Sequence, residues 1–270
     1  MDNVWVNIFA FGCLFFILSY FLYILYYAIG LYDLNPFFRP IPLKDLEKRL
    51  LSKHIETIKH LDESQKEKLY KRVAWFRAKK TFTFKSETFD KEDIILLISS
   101  AGMLLTLGFK NYKFIRSIHR IVIHPTDYYS SFNKRYHLGE YNPGLKALAF
   151  AADTLVFGFE DDSDNINLAI HEFAHALYFE TKGKNSWGAL RFQWGFRKLE
   201  RLFNDKEFAL TTLDSGYFRN YAKKNPYEFL AVITENFIET PDTFHANHLE
   251  LYNVLKTMYN FNPVAPKGVK

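Results

Sequence analysis

The chain has 270 residues, enough for one large domain or two small ones with an ample core. Its formal net charge of +5 is mild and spread along the sequence, which argues against a nucleic-acid partner. Cys13 is the single cysteine, so an intrachain disulfide and a cysteine-ligated zinc are both excluded, and any metal site must use imidazoles and carboxylates.

Val4 to Leu31 contains no charged residue and exceeds the roughly 20 residues that cross a bilayer core. Tyr20, Tyr23, Tyr26, Tyr27 and Tyr32 crowd its C-terminal half, as in an interfacial aromatic belt. A cleaved signal peptide would need a basic start, a shorter apolar stretch and a small-residue cleavage site, and none is present. The segment therefore reads as a transmembrane helix. Only Asp2 precedes it, whereas Arg39, Lys44, Lys48, Arg49 and Lys53 follow, so the N-terminus is expected outside and the remainder in the cytosol.

Pro36, Pro40 and Pro42 rule out a helix and mark a stiff linker over Asn35–Pro42. Apolar residues at helical spacing predict an amphipathic pair, Leu43 to about Leu61 and Glu63 to about Lys79, with Lys66, Lys68, Lys71 and Arg72 on a solvated face. Asp90 to Gly108 reads as a central helix, Asp90 capping its start and Gly108 its end. Ile118 to His124 alternates as a strand. His119 and His124 then face opposite sides, which disfavours a shared metal, and both read as ordinary polar positions. Tyr128 to Tyr141 reads as a loop, and Leu145–Phe150 with Thr154–Phe159 as a hairpin around Ala151–Asp153. The acidic run Glu160–Asp164 lacks the glycine and closing glutamate of a calcium loop and is expected to cap the helix that follows.

That helix is predicted from about Asp164 to Thr181, stopped at Gly183, and it carries His171-Glu172-Phe173-Ala174-His175. Two histidines one turn apart project from the same face and can grip one zinc ion. Glu172 lies about 100° around the helix, within reach of a water held by that ion without being a ligand. The pattern points to metal-assisted hydrolysis, with Glu172 as general base. Gln193 to Phe203 reads as a surface helix, and His245 and His248 lie one turn apart if helical, in a polar stretch where a second metal site is not expected.

A catalytic zinc normally has three protein ligands, and the motif supplies two. No third histidine follows at short spacing, so the third ligand is expected to be a carboxylate on a later helix. Asn225 as N-cap and Pro226 at the first helical position begin such a helix, with Glu228 and Glu235 on one face. Glu228 also sits where a capping-box glutamate would, whereas Glu235 lies among Val232, Ile233 and Phe237 and needs a partner such as a zinc-bound imidazole N–H. From the residues alone the two remain alternatives.

Asn167-Leu168-Ala169-Ile170-His171-Glu172-Phe173-Ala174-His175-Ala176-Leu177 and Asn225-Pro226-Tyr227-Glu228-Phe229-Leu230-Ala231-Val232 resemble the Mlc titration factor A family of zinc metallopeptidases. Glu235-Asn236-Phe237-Ile238 and Gly139-Glu140-Tyr141 also fit. The resemblance covers the chain from about Leu43 onward. It implies His171, His175 and Glu228 as zinc ligands, Glu172 as general base, Tyr221 as a donor to the oxyanion, and aminopeptidase-like activity on small substrates. Glu235 then belongs behind a ligand rather than on the metal. Where the family usually has Asp, this chain has Tyr178, on the face of the two histidines. The family's founding member is soluble and sequesters a sugar-uptake repressor, so a regulatory protein partner does not transfer directly to a chain with a transmembrane segment.

The expectation is a transmembrane anchor (1–35), a proline-rich linker (36–42) and an α+β zinc metallopeptidase domain (43–270), mainly helical with a small mixed sheet. It would hydrolyse peptides or proteins at the cytoplasmic face. The competing class is a binding module that captures a regulator at the membrane, with zinc structural or vestigial.

Overall fold

A computed structural model describes residues 2–28, 39–110, 115–130, 134–161 and 163–264. Tyr32, the first half of the proline-rich stretch and the side chains of Tyr26 and Tyr27 lie outside the described residues. The chain separates into two compact units, divided after Pro40. The first contains helix α1 (Asp2–Ala28), of which Val4–Leu25 is long and apolar enough to cross a membrane, with mean hydropathy 2.4 and no residue buried. Along Val4–Leu25 apolar side chains lie on all sides of the helix.

The second unit is mainly helical with a small mixed sheet. Helices α2 (Asp45–His54) and α3 (Glu56–Lys59) replace the single helix expected over Leu43–Leu61, because Ile55 adopts an extended conformation between them. Helix α4 (Glu63–Lys79) starts with a capping box in which Asp62 accepts from Gln65 N–H. Its Arg72 is buried rather than on a solvated face. The guanidinium donates to the carbonyls of Thr106 and Phe109, beyond the end of α5 (Lys91–Leu105), and burial lowers its pKa to about 10. That helix ends before Gly108, and Arg72 of α4 binds carbonyls of the turn that follows it.

Strands β1 (Thr81–Phe84), β2 (Arg120–His124), β5 (Gly139–Asn142) and β6 (Ala147–Ala151) form one sheet, ordered β1-β2-β6-β5. β1 and β6 run parallel to β2, and β5 antiparallel to β6. A separate hairpin joins β3 (Tyr128–Ser130) and β4 (Arg135–His137). The stretch expected as a loop, Tyr128–Tyr141, therefore supplies three strands. The expected hairpin is also displaced. β6 pairs with β5 before it, and Thr154–Phe159 belongs to helix α6 (Ala152–Glu160). Thr154 and Val156 favour a strand locally, but Ala152, Leu155 and Phe159 recur at helical spacing and are buried.

Helix α7 (Leu168–Thr181) lies at the centre. Gly102 of α5 lets the two helices approach, since a Cβ there would lie 2.4 Å from the Phe173 ring. Phe173 is itself fully buried and packs edge-on against Phe76 of α4. After α7 come α8 (Trp187–Phe203), which begins six residues earlier than expected, a short helix α9 (Lys206–Phe208) and a single 3-10 turn, Asn220–Lys223. Helices α10 (Pro226–Glu239), α11 (Pro241–Asn247) and α12 (Leu249–Tyr259) complete the unit.

A candidate metal centre between two helices

Helix α7 starts at Leu168 and not within the acidic run. Asn167 is its cap, accepting from Ile170 N–H at 3.1 Å, while Asp161 and Asp164 close the preceding turns on Ser163 and Ile166. An amide cap at this point also directs the Asn167 backbone N–H outward to Glu235 of α10, at 3.0 Å. The start of one helix is thereby tied to the middle of the other.

His171 and His175 project from α7 with ring centroids 5.0 Å apart. Helix α10 faces them. Asn225 caps it by accepting from the N–H groups of Tyr227 and Glu228, and Pro226 occupies the first turn. The Glu228 side chain turns toward the imidazoles, with Oε2 3.0 Å from His171 Nε2 and 3.2 Å from His175 Nε2. Among the described residues, His171, His175 and Glu228 form a group whose ligand-type atoms all lie within 4.8 Å of one another. Two imidazole nitrogens and one carboxylate oxygen are the donor set that suits a catalytic zinc, so the residues fit the ion. The two histidines hold the Glu228 pKa far below the ordinary carboxylate range despite partial burial.

Two turns along α10, Glu235 is completely buried and meets His171 from behind, Oε1 lying 2.6 Å from Nδ1. Arg219 also donates to Glu235 Oε1. A buried carboxylate with three donors is stable where an unpaired one would not be. It also fixes the imidazole, because an Nδ1–H given to Glu235 leaves Nε2 to face the centre. Burial alone would lower the His171 pKa, but the charge of Glu235 and the contacts with both glutamates raise it to about 10.

Glu172 is 6% exposed and sits on the other side of the histidines, toward β5. Burial raises its pKa, opposed by the two histidines and by the Tyr141 N–H that donates to its carboxylate. Gly139 of β5 leaves the room it occupies. A Cβ there would lie 2.9 Å from Glu172 Oε1 and 2.6 Å from Leu168 Cδ1. Tyr221, in the 3-10 turn before α10, is half exposed and donates to Glu228 Oε1 at 3.3 Å, its ring 5.7 Å from that of His171.

Tyr178 points away from this group into an aromatic cluster. Its hydroxyl lies 3.4 Å from that of Tyr227 and its ring 4.6 Å from Phe196. The Asp-to-Tyr departure on α7 is thereby accommodated by packing against the residue next to Glu228. His124 stacks on Tyr128, and His245 and His248 lie against Tyr252 and Tyr217 respectively, and none belongs to the His171–His175–Glu228 group. Three contributors had no separable signal in the sequence: Arg219, the Asn167 N–H and the Tyr141 N–H. Arg219 belongs to no periodic pattern, and a backbone N–H has no residue identity to read.

A cavity of about 400 Å³ opens beside this group, lined by His171, Glu172, Arg219 and Tyr221 among others. Residues 38–260 match the family model described as glucose-regulated metallo-peptidase M90. An uncharacterized protein of Synechocystis sp., slr2042, is 25% identical over 237 residues, which is 83% of this chain and 86% of that protein. With the match spanning both helices of the centre and the sheet beside it, the chain belongs to the M90 family of glucose-regulated metallopeptidases.

Proposed function

We propose that the protein is a zinc-dependent peptidase held at a membrane by its apolar N-terminal helix, with the second unit on the cytoplasmic side. The observation that carries the reading is the convergence of His171, His175 and Glu228 donor atoms beside a buried, non-ligating Glu172. These three residues would hold the ion. Zinc, when bound, polarises a scissile carbonyl and acidifies water.

Everything else is done by the chain. Glu172 takes the proton of the attacking water and passes it to the leaving amine; the raised pKa that burial gives it suits a group that must both accept and release. The Tyr141 N–H and the space at Gly139 keep its carboxylate in place. The Tyr221 hydroxyl donates to the developing oxyanion. Glu235 holds the His171 ring and Arg219 holds Glu235. An extended peptide would pair with the edge strand β5.

Glu172→Gln tests the mechanism. The variant should retain zinc and lose peptide hydrolysis by at least about 10³-fold, within the range expected for removing a general base. Cleavage that survives the change in purified protein sinks the reading. For the topology, basic residues follow the apolar helix and one acidic residue precedes it. A C-terminal reporter active only outside the cytoplasm would reverse the orientation.

A further inference from the structure

We propose that the cavity beside Glu172 selects substrates that carry a carboxylate, received by Lys224 and Arg135. The inference rests on the peptidase reading and names its substrate class.

The cavity lies between β4, which contributes Arg135 and His137, and the segment before α10, which contributes Arg219, Tyr221 and Lys224. Three cationic side chains thus face one space of about 400 Å³. Their pairing differs. Arg219 is committed to the buried Glu235. Arg135 donates from Nε to His137 Nε2 at 3.0 Å, a neutral acceptor, and no carboxylate lies within ion-pair distance of it among the described residues. Lys224 places Nζ 3.4 Å from the Tyr221 hydroxyl and 3.7 Å from Glu228 Oε1, above the Tyr221 ring.

Glu228 is the acid that Lys224 has, and that carboxylate would be given to a zinc ion when one is bound. Around the space stand Arg135, Arg219 and Lys224 against Glu172, Glu228 and Glu235. With Arg219 paired to Glu235, the cations left to meet a substrate in this space are Arg135 and Lys224. In a cavity partly shielded from water, these two charges attract a substrate carboxylate. Lysine and arginine at its two sides supply charge-assisted donors for it. The carboxylate has two sources in a peptide, the side chain of Asp or Glu and the C-terminus.

The experiment uses the full chain in detergent micelles, loaded with zinc, and internally quenched peptides in matched pairs. One series exchanges Glu for Gln position by position; the other exchanges a C-terminal acid for its amide. The acid member of one series should be cleaved with kcat/KM about tenfold or more above its neutral partner, the size of a charge-assisted hydrogen bond. The series that responds identifies the source. The preference should shrink as salt is raised and disappear in Arg135→Gln/Lys224→Gln. Equal cleavage of acid and amide in both series overturns the inference, as does a preference unchanged in the double variant. Fluorescence anisotropy of the same peptides on zinc-loaded Glu172→Gln separates this inference from its foundation. Acid-selective binding without any cleavage by the native protein keeps the carboxylate site and sinks the peptidase reading. Cleavage without acid selectivity in either assay does the reverse.

Discussion

Glu228 and Glu235 lie on one face of one helix, two turns apart, and meet the same imidazole from opposite sides. Their surroundings could hardly differ more. Glu235 has no exposed side-chain surface and is met by the Asn167 N–H, by His171 and by Arg219. Glu228 keeps 15% of its side chain exposed and faces a second imidazole and the Tyr221 hydroxyl. The contrast teaches that a carboxylate's role is set by what completes its valence. One surrounded by N–H donors is a fixed acceptor, whereas one opposed to imidazole nitrogens needs a cation to share.

The most direct way to break this comparison is to remove each carboxylate in turn. Glu228→Ala should lose stoichiometric zinc on dialysis. Glu235→Ala should still bind zinc but about 10- to 100-fold more weakly, the usual cost of removing a partner behind a ligand. Metal analysis that ranks them in the opposite order reassigns the third ligand. In the metal-free protein the ranking inverts. Glu235→Ala leaves Arg219 and His171 without their buried partner and should cost about 3–5 kcal/mol in urea unfolding, whereas Glu228→Ala should cost clearly less.

A smaller effect sharpens the distinction between holding a metal and using it. Gly139→Ala adds a methyl into the space of Glu172 Oε1 and Leu168, so zinc content should stay and kcat should fall by about tenfold to a hundredfold. Unchanged turnover would show that Glu172 needs no support from β5.

The smallest effect is in protons. In the metal-free protein the His171 pKa is raised to about 10, above the unfolded value near 6.5. This contribution to stability is fully present below about pH 6.5 and is lost as pH rises through about 10. Between these limits zinc must displace the proton, so binding at pH 8 should release close to one proton from this site, measurable with an indicator dye in weak buffer. Zinc uptake without proton release would mean that Glu235 does not charge the imidazole.

Much of the centre was legible because it is written in local chemistry. The spacing of His171 and His175 needs only helical periodicity, and Asn225-Pro226 starts α10 through capping and a fixed φ. The mainly helical fold with a small mixed sheet also follows from patterns of this range. Elements whose pattern is short or ambiguous escape such a reading or are misassigned by it. β1 has four residues, β3 and β4 three each, and α6 carries β-branched residues on a helical period. Arg219 and Lys224 carry no pattern at all, since each acts across the chain on groups that folding brings to it.

The amino-acid sequence by itself determined the apolar N-terminal helix, the pairing of His171 and His175 on one helix and the helix that carries Glu228 and Glu235, because hydrophobic period, capping and composition act within a few residues. Only the tertiary structure decided which glutamate faces which nitrogen of His171. That choice depends on how α7 and α10 cross and on the partners, Asn167, Arg219 and Tyr141, that close one side of the centre and leave the other to a cavity.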